Sequence, residues 1–430
     1  MLNPGSAVSL NETTTPAQQT RHSSCRFCGT QLHHVFLDLG LSPLANAYLR
    51  EEDLKREEQQ FPLRVYVCDE CLLVQLEEWE SPENIFGDYA YFSSYSESWL
   101  GHAKTYVAAM VERFAIGPES KVVEVASNDG YLLQYFMGRG IRVLGVEPAG
   151  NVAAAAIARG VPTTARLFGL EAARELLAEG HHPDLIVGNN VLAQVTDLNG
   201  FVAGMKVLLK PGGVITMEFP HLLRLMDENQ FDTIYHEHFS YFSLISAEQI
   251  FAAHGLTLFD VEEMWTHGGS LRIYARHRED EARPVGPRVR ALLSREKAIG
   301  LDRPNRYAAF AEQARETKRR LLEFLVGAKR QGKSIAGYGA PGKGNTLLNY
   351  CGIRTDFLDY TVDRNPYKHG RFTPGTHIPI FPPNKIFETR PDYVLILPWN
   401  LKDEIMEQMS AVQSWGGQFV VPIPDVKVYP

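Results

Sequence analysis

No stretch of this sequence approaches the roughly 20 consecutive apolar residues that a membrane-spanning helix needs, so an integral membrane protein is not expected. An apolar segment of the export type is lacking too. The first 22 residues are rich in Ser, Thr, Asn and Gln and read as a disordered tail rather than a signal peptide. A dominant charge sign is missing as well: 43 Lys and Arg stand against 51 Asp and Glu, a formal net charge of −8. That balance argues against wrapping nucleic acid or lying on an anionic membrane. Cysteine is scarce, with five in 430 residues. Without an export signal this fits a reducing cytoplasm, where paired cysteines hold metal more often than they form disulfides. The length exceeds one hydrophobic core and predicts two or three domains. A monomer is the default expectation.

Four of the five cysteines form two matched pairs, Cys25/Cys28 in "CRFC" and Cys68/Cys71 in "CDEC". A Cys-x-x-Cys turn aims two thiolates at one point, and two such turns complete a tetrahedral sulfur shell for zinc. All four positions are filled, so the predicted zinc is structural, in a small domain over residues 23–82. Cys351 stands alone and is expected to be a buried small apolar residue.

The run "KVVEVASNDGYLLQYFMGRG" reads as buried strand, glycine turn and amphipathic helix. A second strand, "RVLGVEP", ends in Glu147, where an acid can accept from both hydroxyls of a ribose. A third carries Asn189 and Asn190 at its carboxyl end, where ligands bind in open α/β sheets. Candidate cofactor residues are therefore Glu124, Ala126, Ser127, Asn128, Gly130, Glu147, Pro148, Asn189 and Asn190. Strand-turn-helix alternation alone would serve NAD, FAD or S-adenosylmethionine. Three details favour the last. The turn lacks the Gly-x-Gly-x-x-Gly that meets a pyrophosphate, the Glu124 carboxylate suits a cation, and "LLKPGG" before a strand is common in methyltransferases. This domain is assigned residues 83–280, and a ligand-free Rossmann-like sheet is the alternative.

Residues 281–430 begin charged and helical. Phe310, Ala314, Leu321 and Leu325 recur at helical spacing and predict a long helix ending at Gly332. "SIAGYGAPGKGNTLLNY" then reads as strand, glycine loop and helix, a second Rossmann-like α/β unit. The loop resembles a phosphate-binding turn with Lys343 as counter-charge, although a tight strand-to-helix turn would look the same.

The stretch "DTIYHEHFSYFS" leaves three readings open: a metal site at His236 and His238, a proton-transfer site, or polar groups in an aromatic core. In a strand the two histidines would point to opposite faces, which weighs against metal.

Taken in order, the cysteine pairs, "LSPLANAYL", "DYAYFSSYS", "VVEVASNDGYLL", "NNVLAQVTDLNGFV", "YHEHFSYFS", "HGGSLR", "GYGAPGKGNTLLNYCGI" and "VDRNPYKHGRFTPGTHIPI" resemble the C-methyltransferases of nucleotide-linked deoxysugars. The resemblance runs from Cys25 nearly to the end. It implies a zinc-binding domain, an S-adenosylmethionine domain and a C-terminal α/β domain, with a dTDP-4-keto sugar held in the cleft between them. It also implies active-site roles for Tyr235, Glu237 and His238, and for Tyr89 from the segment after the zinc domain. Substrate contacts are expected from Gly339, Lys343, Asn345, Asp363, Arg364 and Lys368. The chain departs from the family at Gln194, where the family usually has a histidine.

The implied chemistry explains the residue types. A ketone acidifies the neighbouring C–H, His238 near its ordinary pKa of about 6.5 removes the proton, and the enolate attacks a sulfonium methyl group. Glu237 would orient the ring or hold the sugar, and Tyr235 or Tyr89 would donate to the oxygen that becomes negative. Competing expectations are an O- or N-methyltransferase of another small molecule, or a non-catalytic S-adenosylmethionine-binding homologue.

Overall fold

The computed structural model describes residues 24–80 and 92–430, in which the chain builds three sheets. The expected disordered tail and Tyr89 lie outside the described residues. The first sheet starts with β1 (His34–Ser42), β2 (Phe61–Val67) and β3 (Val74–Leu76), all antiparallel. In β2, Leu63, Val65 and Val67 are buried alternately, the period of a strand with one face inward.

The middle sheet contains β4 (Lys121–Val125), β5 (Arg142–Val146), β6 (Thr163–Thr164), β7 (Leu185–Asn189) and β8 (Val214–Pro220), mutually parallel. Val122, Val123, Val125 and all of β7 are buried, because helices cover both faces of a parallel sheet. On one face the helix Glu97–Phe114 buries Ala103, Tyr106, Val107 and Met110, its i, i+3, i+4, i+7 stripe, beside Val122 and Leu185. The chain then leaves to form β9 (Ser240–Tyr241), which pairs with β3 of the first sheet. It returns as the hairpin of β10 (Leu256–Met264) and β11 (Ser270–His277), antiparallel against β8. The strand order β10-β11-β8-β7-β4-β5-β6 reverses direction between β4 and β7. That is where the crevice of a doubly wound sheet lies.

The predicted long helix spans Phe310–Arg330 and buries Phe310, Ala314, Leu321 and Leu325. The third sheet has the order β14-β13-β12-β15-β16-β17. Its strands are β12 (Ile335–Tyr338), β13 (Thr361–Val362), β14 (Ile380–Phe381), β15 (Tyr393–Ile396), β16 (Gln418–Val421) and the antiparallel β17 (Lys427–Tyr429). Its order reverses between β12 and β15. Cys351 is buried there, as expected for a small apolar residue.

The first sheet belongs to two cores. Phe36 of β1 stacks on Phe310 with centroids 4.8 Å apart and joins the third unit, while Cys25, Cys68, Cys71 and Leu73 pack with the middle unit. Among the described residues no helix is long and apolar enough to cross a membrane.

Candidate active site

The four paired cysteines converge, with all their Sγ atoms within 4.8 Å of one another. Cys25–Cys71 and Cys28–Cys68 are each 3.5 Å apart. A tetrahedron with Zn–S bonds of about 2.3 Å has edges of about 3.8 Å, so the donor set fits zinc and leaves no open position. Gln75 donates from Nε2 to Cys25 Sγ at 3.1 Å, the kind of outer hydrogen bond that orients a ligand. Asn199 Nδ2 donates to Phe27 O at 2.9 Å and ties the first cysteine turn to the middle unit.

At the carboxyl end of β4 the turn Ala126–Gly130 takes positive φ at Ala126 (55°), Asn128 (49°) and Gly130 (78°). Only glycine serves at 130, because a Cβ there would sit 2.7 Å from Val161 Cγ2. Glu147 accepts from Asn128 N at 3.0 Å and Ala149 N at 2.9 Å, so this acid also pins the turn to the end of β5, beside the exposed Pro148. Ser127 turns its hydroxyl inward against Gly145, and Asn128 Oδ1 accepts from Ser93 N at 2.8 Å. Burial pushes the Glu124 carboxyl well up; the Tyr131 hydroxyl opposes this, and the Glu147 and Asp129 charges add to it. An acid crowded in this way regains its ionised form when a cation arrives. Asn189, at the end of β7, keeps both amide atoms buried without a partner among the described residues, a costly arrangement unless a ligand completes it. Orphaned amide, cation-seeking acid and open backbone turn fit S-adenosylmethionine, with its ammonium, sulfonium and ribose groups.

The next residue extends the crevice. Asn190 (φ 56°) shares a hydrogen bond of 2.8 Å with His267 Nε2. His267 (φ 55°) immediately precedes Gly268 and Gly269 in the turn joining β10 to β11. Non-glycine residues held at such angles cluster at ligand sites. Trp99 packs its ring on His102 at 4.9 Å and on His267 at 5.2 Å. His102 in turn bonds Glu218 at 2.8 Å, and Arg272 donates from Nε to the same carboxylate at 2.7 Å. The "HGGSLR" motif was the signal for His267, although sequence alone assigned it no role.

Residues 231–241 are not a strand through the histidines, as assumed above. A 3-10 turn at Phe231–Thr233 is followed by a turn in which His238 N donates to Tyr235 O. That turn sends the histidines apart, and they form no metal pair. His236 meets Pro62 O and the Phe61 ring, whereas His238 is fixed through Nδ1 to Thr233 O at 3.1 Å. A carbonyl only accepts, so Nδ1 carries the hydrogen and Nε2 keeps the lone pair. Phe239 N donates to Ala193 O at 2.7 Å, setting His238 beside the loop that leaves β7. The Tyr235 ring lies against His238 with centroids 4.3 Å apart, tilted by 34°. The pKa also differs from the ordinary value assumed above: burial and then the Lys343 charge push His238 down to about 4. Burial raises Glu237 to about 7, opposed by a hydrogen bond from Asn46.

Lys343 sits in the first turn of the helix Gly342–Cys351 that follows β12, at the reversal point of the third sheet. Its Nζ donates to Asn400 Oδ1 at 2.9 Å and lies 4.4 Å over the Trp399 ring. Trp399 Nε1 donates to Asp232 Oδ2 at 2.8 Å, and burial holds that acid up to about 7. Burial, and with it the Lys343 charge, lowers His267 as it does His238, so Lys343 acts on both histidines. Gly339 needs its positive φ, and a side chain there would strike Pro398. Asp363 Oδ2 accepts from Ala340 N at 2.8 Å and pairs with Lys368 at 3.2 Å. Asn345 donates to Ala45 O at 2.7 Å. Gly339, Lys343, Asn345, Asp363 and Lys368 thus gather around one loop, whereas exposed Arg364 pairs at 3.7 Å with Glu404.

Comparison with known proteins matches three family profiles in order. These are a zinc binding domain over residues 25–86, a methyltransferase domain over 99–261 and a C-methyltransferase C-terminal domain over 265–424. The chain is 37% identical over 407 residues to the C-methyltransferase NovU of Streptomyces niveus, covering 94% of this chain and 96% of that one. Among solved structures, the PH0226 protein of Pyrococcus horikoshii overlaps with a TM-score of 0.36 at 15% identity, covering 46% of this chain and 99% of that one. Magnesium protoporphyrin IX methyltransferase of Synechocystis, solved with bound S-adenosylmethionine, gives 0.32 at 13% identity, covering 45% and 88%. With the full-length match to NovU and the three profiles in register, the protein belongs to the family of S-adenosylmethionine-dependent C-methyltransferases that carry an N-terminal zinc-binding domain.

Proposed function

We propose that the enzyme methylates carbon 3 of a nucleotide-linked 4-keto deoxysugar, with dTDP as the carrier, by way of an enolate. The single observation that carries this reading is His238: a neutral imidazole with its hydrogen pinned on Nδ1 and its lone pair on Nε2, between the end of the middle sheet and the half-buried Lys343. Bound S-adenosylmethionine supplies an electrophilic methyl group. The chain's own residues do the rest. At a pKa of about 4, His238 is almost wholly unprotonated at pH 7, so every copy can accept a proton. The same shift makes it a weaker base. Lys343 and the Tyr235 hydroxyl offset this by favouring negative charge on the ketone oxygen as the C–H bond breaks. Glu237, as carboxylate, accepts from a sugar hydroxyl and sets the ring against Nε2. Gly339, in the turn after β12, and Lys368, which reaches Ala340 O in that turn, suit the carrier's phosphates, and Asn189 with Glu124 and Glu147 suits the methyl donor.

Carbon, rather than oxygen or nitrogen, agrees with the family to which the chain belongs. In D2O with a dTDP-4-keto sugar and no methyl donor, the enzyme is expected to wash deuterium into the position beside the ketone. His238→Asn should slow this about 10²- to 10⁴-fold, the usual contribution of a general base. Wash-in at the normal rate by that variant rejects His238 as the base. Methylated product located by NMR across dTDP-, GDP- and CDP-linked substrates identifies carrier and carbon.

A further inference from the structure

Asn46 lies between β1 and β2, 191 residues before Glu237, yet its Nδ2 donates to Glu237 Oε1 at 2.5 Å. The segment carrying it is clamped against the third unit. Asn345 holds Ala45 O at 2.7 Å, the Tyr48 hydroxyl donates to Ala340 O, and the Lys368 ammonium lies 5.0 Å over the Tyr48 ring. Glu237 is only 5% exposed, while Asn46 is exposed, so the acid is walled in and the amide that holds it borders open space. No other side chain among the described residues bonds the Glu237 carboxyl.

We propose that Asn46 is a positioning residue: the zinc-binding unit supplies, through this amide, the donor that fixes Glu237 Oε1 and leaves Oε2 for the substrate. The inference rests on reading Glu237 as an active-site group. The donor also selects a protonation state. A hydrogen bond to a carboxylate favours the charged form, and here it is the force opposing burial. Losing it keeps the acid protonated to higher pH.

The test uses the full-length zinc-loaded protein and compares Asn46→Asp with Glu237→Gln. Asp keeps the shape of Asn and replaces the donor by an acceptor. The expected result for N46D is a kcat/KM lower by about 10- to 100-fold, as for loss of a hydrogen bond to a charged group. Its acidic limb should move to higher pH, with zinc content and thermal midpoint unchanged. If N46D loses zinc or unfolds, N46A, which adds no charge, is read for the same movement of the limb. Should E237Q be impaired while the Asn46 variant keeps the wild-type rate and pH profile, the inference is overturned. A fully active E237Q would overturn the assignment of Glu237 itself and the inference with it.

Discussion

Glu237 and His238 are neighbours that one cause drives in opposite directions. Burial disfavours charge in both, so the carboxyl rises to about 7 and the imidazole falls to about 4. The consequences for stability oppose each other. Glu237 binds its proton more tightly when folded, so its contribution is present below about pH 4.5 and is lost as pH rises toward 7. His238 binds its proton less tightly when folded, so its contribution is present above about 6.5 and is lost as pH falls toward 4. In the wild type the two trends largely cancel. Glu237→Gln removes one of them, so the variant's stability relative to wild type should rise between pH 4.5 and 7. The expected gain is about 1 to 3 kcal/mol, from roughly 1.4 kcal/mol per pKa unit. Urea unfolding at intervals across that range measures the difference. A flat difference would mean that Glu237 titrates normally in the folded protein. None of this was legible in "YHEH", because the shifts come from the walls around the segment and not from its own residues.

At the scale of elements, the strand-turn-helix units were the legible part. Parallel strands buried on both faces appear as unbroken apolar runs, and the turns that end them announce themselves by glycine. "VVEVASNDG" forms its strand and turn as expected, and "IAGYGAPGKG" opens with the expected strand, although its glycine loop is shorter because the helix already begins at Gly342. The hidden part was the course of residues 231–241, whose aromatic content imitates a strand while its backbone folds as two turns and a two-residue strand. Gly130 offers a test of how far the first turn is constrained. Gly130→Ala must accept φ 78° and a Cβ 2.7 Å from Val161 Cγ2. Backbone strain of this kind costs on the order of 1 to 3 kcal/mol. The expected outcome is a lower unfolding midpoint and weaker methyl-donor binding by calorimetry. Adding Val161→Ala should return the steric share of the loss and leave the backbone share. Full recovery in the double variant would show that only space, and not φ, demanded glycine.

For the whole molecule, the cysteine site, suited to a structural zinc, is connected to the proposed active-site residues through two short routes. One is the segment carrying Asn46. The other runs from Cys25 to Gln75, which is paired with Ser240, and Tyr241 next to it touches the His238 ring at 6.3 Å. Contacts between residues so far apart in sequence arise only when all three sheets are assembled, which is why reading motifs one at a time did not reveal them. The second route makes a distinct prediction. Structural zinc binding is itself folding free energy, so chelation should unfold the cysteine turns and release β3, the only partner of β9 among the described strands. Amide hydrogen exchange in residues 235–243 should then accelerate together with that of 25–76. Strands β4, β7 and β8, enclosed in the middle sheet, should keep their protection, and methyl-donor binding should persist while turnover is lost. If 235–243 stayed protected in the zinc-free protein, the middle unit alone would be holding His238, and the first sheet would be left with no part in setting the proposed base.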